Sequence, residues 1–396
     1  MNNKNNKIKY FEIFLIVLIT SLSFAVFLAQ SRNELITNNA SSDMLAYMKN
    51  IMGIESGYSF PYPIMFWLGK LFYIVLPIEY AMALTVTCFY SLTVVAILFI
   101  ARRLLKISQL RVCEILICAS VMIYAMLFVH NHPFPGIPFR YVGVFSPNPI
   151  HNATYIAARA FTIIAFFFFA ELLDEYMTKI DKKKWIVFSI ALLLATMTKP
   201  SFTIIFCAAA GLIMLFRLIW SKGKILKPTV YLGLAFIPTF LHLIYQYSGV
   251  FSGTNAKGEE TGIGIGFLVV WGELVNNIPL AIILPIASPI VILLFHIKDI
   301  KNITWYRLSW QVYLVGLISF MLLYEKGFRM FHMNFSWGYM AGMFTLVLAS
   351  LMVLLIESKK VQRLNWKLAM QWGIYILHVA CGIVYYITML FGGNYY

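Results

Sequence analysis

The chain has 396 residues, of which 61% are hydrophobic and only 12% charged. A soluble globular chain is usually about 45–50% apolar and about 25% charged, so the charged surface that a water-soluble domain of this size needs is missing. Lipid is the expected solvent. The formal net charge of +15 comes from 31 Lys and Arg against 16 Asp and Glu, and it is confined largely to short loops between apolar runs. That distribution excludes a nucleic-acid face and marks membrane topology.

The first apolar run, Phe11 to Ala29, is long for a signal-peptide core and lacks a small-x-small cleavage site, so it reads as a retained span. Eleven spans follow from the hydropathy: 11–30, 80–101, 112–130, 156–173, 185–198, 200–219, 229–247, 278–297, 305–324, 338–356 and 368–390. Residues 62–77 are apolar but interrupted by Lys70 and closed by Pro77. If they crossed, every later basic loop would lie outside, so they are expected to be interfacial or half-inserted. Residues 185–198 run straight into Thr198-Lys199-Pro200-Ser201, which reads as a helical hairpin whose return helix starts at Pro200. The expected fold is all-α: a polytopic membrane protein of about eleven transmembrane helices with interfacial helices between the first two. It forms a single transmembrane domain over residues 1–396, with 31–79 as an outer loop.

The segments between spans alternate. One set is short and basic: Lys4/Lys7/Lys9, Arg102/Arg103/Lys106/Arg111, Lys179/Lys182/Lys183/Lys184, Lys222/Lys224/Lys227, Lys298/Lys301/Arg307 and Lys359/Lys360/Arg363/Lys367, together 21 of the 31 basic residues. The other set holds nine, and Arg217 lies near a span end. The positive-inside rule puts the first set and the N-terminus in the cytoplasm. Cys88, Cys113, Cys118, Cys207 and Cys381 all fall inside apolar runs without a CxxC pair, which gives no disulfide framework and no zinc site. There is no internal repeat of the kind an inverted-repeat transporter carries.

The outer segments concentrate the polar chemistry. Residues 31–79 contain Asp43, a short helical pattern through Tyr47 and Ile51, and Phe60-Pro61-Tyr62-Pro63. Residues 130–155 carry His130, His132, Arg140 and the run Pro147-Asn148-Pro149-Ile150-His151-Asn152-Ala153-Thr154. Residues 324–339 carry Glu325, Arg329, His332, Asn334 and Trp337. Aromatic, Pro, Asn, His and Arg residues at that density suit a shaped polar cavity at the outer leaflet. Of the four aspartates, Asp174, Asp181 and Asp299 fall in cytoplasmic segments, leaving Asp43 alone outside. Ser41-Ser42-Asp43 fits a helix N-cap as well as a catalytic carboxylate, and the sequence leaves both open. Lys199 either snorkels to the interface or meets a phosphate at the cavity mouth. Arg140, Arg159 and Arg329 are anion candidates on a face otherwise poor in basic residues. The spacing of His130, His132, His151 and His332 fits no strong zinc pattern, and hydrogen bonding to a sugar or phosphate is the better reading. Asn152-Ala153-Thr154 matches a glycosylation acceptor, a pattern short enough to arise by chance.

These outer segments resemble the GT-C-fold glycosyltransferases of the bacterial cell envelope. The resemblance rests on an acidic residue after the first span (Asp43), the Phe60-Pro61-Tyr62-Pro63 stretch, the 147–154 run, the Thr-Lys-Pro-Ser turn at 198–201 and the Arg-x-x-His-x-Asn-Phe-x-Trp-Gly-Tyr run at 329–339, in order along the chain. It implies interfacial helices between the first two spans and an aspartate base in the first outer loop. That base deprotonates an acceptor hydroxyl, which attacks a sugar carried on a polyprenyl phosphate with inversion. Carried over, Asp43 is the base, and Lys199, Arg329 and Arg159 neutralise the phosphate. Arg140, His151, Asn152, His332, Asn334 and Tyr62 are the further substrate contacts. The partners implied are a polyprenyl-phosphate-linked sugar, an acceptor glycan or wall polymer and the bilayer, with no nucleic acid, cofactor or metal, and the active site faces out of the cytoplasm. Many members carry a second acidic residue in another outer loop; here the options in the other outer loops are Glu259, Glu260, Glu273 and Glu325, none in a recognisable motif.

Three other readings compete. A polymerase or ligase of lipid-linked glycans typically has a large late outer loop, whereas the late outer segments here are modest. A lipid or glycan transporter predicts ionisable residues at mid-membrane, and the central parts of these spans are almost free of them. A sensor or scaffold leaves the outer polar clusters unexplained. The topology predicts that Lys182→Cys in intact cells resists an impermeant thiol reagent; labelling there overturns the assignment of the basic loops to the cytoplasm.

Overall fold

Lipid offers no hydrogen bonds, so a spanning chain closes its backbone polar groups on itself, and helices do this within one segment. The computed structural model describes residues 2–37, 42–56, 60–128, 145–251, 262–275, 277–361, 363 and 365–391. The chain is an all-α polytopic membrane protein. Among the described residues, eight helices are long and apolar enough to cross a bilayer, and they fall on eight of the eleven expected spans. The other three positions are helical but differ. Lys182–Thr198 has 17 residues, about 26 Å of helix against a hydrocarbon core of about 30 Å. Thr304–Leu322 has 19 residues but carries Arg307, Gln311 and three aromatic residues with polar groups in its first half.

The third position differs most. The helix Val112–Ser120 ends in a single 3-10 turn, Val121–Ile123, and the chain then runs extended through residue 128. A broken backbone survives at this depth only if protein satisfies it, and here it does. Ala125 N–H donates to the His378 carbonyl at 3.3 Å, and Leu127 N–H donates to that of Leu284 at 3.2 Å. Met126 N–H donates to Ser146 Oγ at 2.9 Å. Asn148 Nδ2 donates to the Val121 and Tyr124 carbonyls at 2.7 and 2.8 Å. Gly382 on the last helix, Trp366–Leu390, makes room for the break: a Cβ built there would lie 1.4 Å from the Ile123 carbonyl oxygen.

The central helix is Asn334–Lys360, almost wholly buried from Ser336 to Leu355. It packs along Thr304–Leu322 and against Ser201–Trp220. The first span, Asn2–Thr37, lies against Ile78–Leu105, which in turn packs on Ala153–Glu175. Two short helices lie between the first two spans, Met44–Ile51 and Pro63–Tyr73. The second buries Met65, Phe66 and Gly69 and exposes Trp67, Leu71, Ile74 and Val75 just at and beyond its end, an apolar outer side suited to an interface. The helix pair Lys182–Thr198 and Ser201–Trp220 turns at Lys199-Pro200, as the sequence predicts. A two-stranded antiparallel ribbon, Ile263–Ile265 with Leu323–Glu325, joins two loops near the same end.

The Gly382 contact generates a paired prediction. Gly382→Ala forces a methyl into a backbone carbonyl and should destabilise by at least the ~1–3 kcal/mol typical of overpacking, lowering the thermal midpoint in detergent by several degrees. Gly373→Ala on the same helix meets nothing within 4 Å and should leave the midpoint unchanged or slightly raised. Equal midpoints for the two variants contradict the close approach.

Candidate functional site

The site is built from four chain segments. At the first, Asp43 occupies the N-cap position of Met44–Ile51, yet its side chain makes no capping bond. Ser42 Oγ accepts from Met44 N–H at 3.2 Å. Glu34, from the end of the first span, accepts from Leu45 N–H at 2.7 Å and from the Ser42 hydroxyl. The cap is therefore supplied by residues 34 and 42, and the Asp43 carboxylate is left for other partners. Glu34 is 1% exposed. Sequence reasoning missed it, although an acidic residue closing an apolar run is a visible signal.

The second segment is 147–155. Asn152 caps Ala153–Glu175 by accepting from Tyr155 N–H at 2.8 Å. Its Nδ2 donates to Asp43 Oδ2 and to the Tyr47 hydroxyl at 3.1 Å. Tyr47 also shares a hydrogen bond with Thr154 Oγ1 at 3.1 Å. Asn152 is 2% exposed, and an amide so engaged is no glycosylation acceptor; its role is internal. The backbone adds a tie, with Asp43 N–H donating to the His151 carbonyl at 3.3 Å.

Third is the hairpin turn. Lys199 Nζ donates to Asn152 Oδ1 at 3.2 Å and to Thr154 Oγ1 at 3.1 Å, and stands 4.7 Å from the centre of the Trp337 ring. Gly338, beside Trp337, lets the central helix come this close: a Cβ there would lie 2.9 Å from the Ser201 carbonyl. The fourth segment is the 3-10 turn Gly327–His332, followed by Met333 in the left-handed region at φ 52°. That conformation costs a non-glycine residue about 1 kcal/mol or more. It turns the chain so that Arg329, His332 and Asn334 all border one space.

That space is a chamber of about 420 Å³, and eight of the ten sequence candidates line it: Asp43, Tyr62, His151, Asn152, Lys199, Arg329, His332 and Asn334. Arg140 lies outside the described residues. Arg159 does not line the chamber. It is 3% exposed and borders a void of about 10 Å³ that Lys199 also lines. There it donates to Asn148 Oδ1 and sits among the rings of Tyr90, Tyr155 and Phe344. A second cavity of about 540 Å³ adjoins the chamber, walled by apolar residues such as Ile204, Phe240, Leu243 and Ile244. The two cavities share Tyr62, Lys199, Arg329 and Asn334.

The electrostatics follow from burial. Burial raises the Asp43 carboxyl above its usual range, against Lys199, Asn152 and His332, which lower it. Burial lowers the Lys199 ammonium to about 8, with Asp43 and Glu325 pulling it back up. Arg329 Nε is buried without a hydrogen-bond partner, a donor held ready at the junction of the two cavities. Among the described residues no three His, Cys, Asp or Glu side chains converge as a metal-binding group.

No family model matches the chain, and no curated protein matches it. Among solved structures it is similar to ArnT from Cupriavidus metallidurans bound to undecaprenyl phosphate, at 11% identity and a TM-score of 0.44, over 97% of this chain and 75% of that one. At that degree of likeness the function rests on the site's own geometry.

The Glu34 bonds carry a prediction. Glu34→Ala removes the acceptor for Leu45 N–H and for Ser42, a loss of about 1–3 kcal/mol for buried donors. Amide exchange over Met44–Tyr47, followed by mass spectrometry, should accelerate about tenfold or more. Exchange at the wild-type rate removes Glu34 from the account of how Asp43 is placed.

Proposed function

We propose that the protein is a membrane glycosyltransferase of the GT-C type. It moves a sugar from a polyprenyl-phosphate donor to a cell-envelope glycan or polymer at the extracytoplasmic face. The observation that carries this reading is the meeting of two cavities of opposite character at a pair of cations. The apolar groove suits a prenyl chain, the polar chamber suits a sugar and an acceptor hydroxyl, and Lys199 and Arg329 at the boundary suit the phosphate that joins them. An outer-face reaction has no nucleotide sugar to draw on, which favours a lipid-linked donor.

The chemistry is a single displacement. The acceptor O–H loses its proton to an Asp43 carboxylate oxygen, its oxygen forms a bond to the anomeric carbon, and the bond from that carbon to the phosphate oxygen breaks with inversion. The second negative charge that develops on the leaving phosphate is met by Lys199 and Arg329, electrostatic stabilisation of the kind that usually contributes most. Asn152 holds base and cation at fixed separation, since one amide donates to Asp43 and accepts from Lys199.

Asp43→Asn tests the base. The side chain makes no cap bond to lose, so the variant should fold, insert and bind donor, while transfer falls by about 10²–10⁴-fold. Transfer near the wild-type rate returns Asp43 to a structural role. The pH profile is a second readout. The base works ionised, so activity climbs with pH through an Asp43 value above the usual carboxylate range. Lys199 works charged, so activity falls as pH passes about 8. Lys199→Arg should keep activity and move the alkaline limb upward, because guanidinium stays charged; an unmoved limb assigns it to another group.

A further inference from the structure

The phosphate junction already contains an anion. Glu325 is 8% exposed and borders the apolar groove beside Lys199, Arg329 and Asn334. Its backbone is fixed by the ribbon: Glu325 pairs with Ile263, and the next N–H, of Lys326, donates to the Gly262 carbonyl at 2.8 Å. Its Oε2 accepts from Asn334 Nδ2 at 2.6 Å and lies 3.9 Å from Arg329 Nε. The second distance is an ion pair without a hydrogen bond, so Arg329 keeps that donor for a ligand. Burial raises the Glu325 carboxyl, while Arg329, Asn334 and Lys199 work against the rise. Among the described residues Tyr62 also faces it, its phenol raised by burial and by Asp43 and Glu325, and Tyr247 lines the same groove.

A carboxylate beside a phosphate site weakens phosphate binding, and nothing in the transfer chemistry above uses it. Its value lies in the charge that the ligand carries. A sugar-bearing lipid phosphate is a diester with one negative charge. The lipid phosphate released is a monoester whose second ionisation lies near pH 6, so it approaches two charges at neutral pH. Lys199 and Arg329 against Glu325 and the ionised base Asp43 sum to no net charge, so the site gives the monoester's second charge no net attraction to offset the cost of desolvating it. Resting on the transferase reading, we propose that Glu325 is a specificity-determining residue that makes the site favour a lipid phosphodiester over the lipid phosphomonoester that the transfer releases. Repulsion between Glu325 and the extra product charge, at an effective dielectric constant of about 20 and a separation of up to roughly 12 Å, amounts to at least about tenfold in affinity. The site thus sheds its product by charge, without a conformational change.

The test is binding, with full-length protein in nanodiscs and two defined probes, undecaprenyl phosphate and its methyl diester. At pH 7.5 the wild type should prefer the diester, and at pH 5.5, where the monoester carries one charge, that preference should shrink toward none. Glu325→Gln, which still accepts from Asn334, should tighten both probes at pH 7.5, the doubly charged monoester more than the diester, so that their ratio moves about tenfold or more toward the monoester. Glu325→Asp should keep the wild-type ratio. The proposal is overturned if the wild type prefers the monoester at pH 7.5, or if Glu325→Gln keeps the wild-type ratio. The first arm needs no variant, so misfolding of Glu325→Gln does not shelter the idea. Wild type that binds neither probe overturns the lipid-phosphate reading itself, an outcome distinct from binding without discrimination.

Discussion

One amide side chain holds the site together. Asn152 accepts from Tyr155 N–H, which starts a 23-residue helix, accepts from Lys199 with the same oxygen, and donates from its nitrogen to Asp43 and Tyr47. Two chain segments far apart in sequence, 43–47 and the turn at Lys199, are thereby fixed to a helix N-terminus. Replacing Asn152 by Asp keeps the acceptor and loses the donor, setting two carboxylates against each other; replacing it by Ala removes every tie at once. Positioning of this kind sets the geometry of the chamber before any ligand arrives.

The surrounding structure protects that arrangement. Asp43 and Lys199 are both buried, so each shifts toward its neutral form, and each works against the other's shift. Trp337 covers the other side of Lys199, excluding water that would screen the interaction. Gly338, Met333 and Glu34 serve the same end from a distance, by letting the central helix approach, by turning Arg329 and His332 inward, and by capping the helix so that Asp43 need not.

Much of this was legible in the sequence, for physical reasons that differ from residue to residue. Hydropathy located the helices because lipid permits little else. Asp43 stood out by elimination, and Lys199-Pro200 by the way two apolar runs met without a loop. The break after Ile123 was invisible, since an apolar run reads alike whether it is a helix or a buried extended segment; only the partners, His378, Ser146, Asn148 and Leu284, distinguish the two, and they are remote in sequence. That Arg159 packs among rings outside the chamber was not legible, because sequence cannot tell a side chain facing a cavity from one packed among rings. Tyr47 was passed over because it belongs to a helix whose hydrophobic pattern accounted for it, and Glu34 because it lies just past the first apolar run, where an acidic residue reads as the end of a span.

The apolar groove has a further consequence. Several of its wall residues, among them Phe240, Ile244, Tyr247 and Ile263, are about half exposed or more on the molecule's flank. On the transferase reading proposed above, a ligand with a long hydrocarbon chain enters sideways, from within the plane of the bilayer, and only its head turns into the chamber. Encounter becomes a two-dimensional search among lipids, governed by bilayer fluidity and by the density of carrier lipid. Ionic strength in the surrounding solution, which dominates the capture of charged ligands from water, has little hold on such an approach.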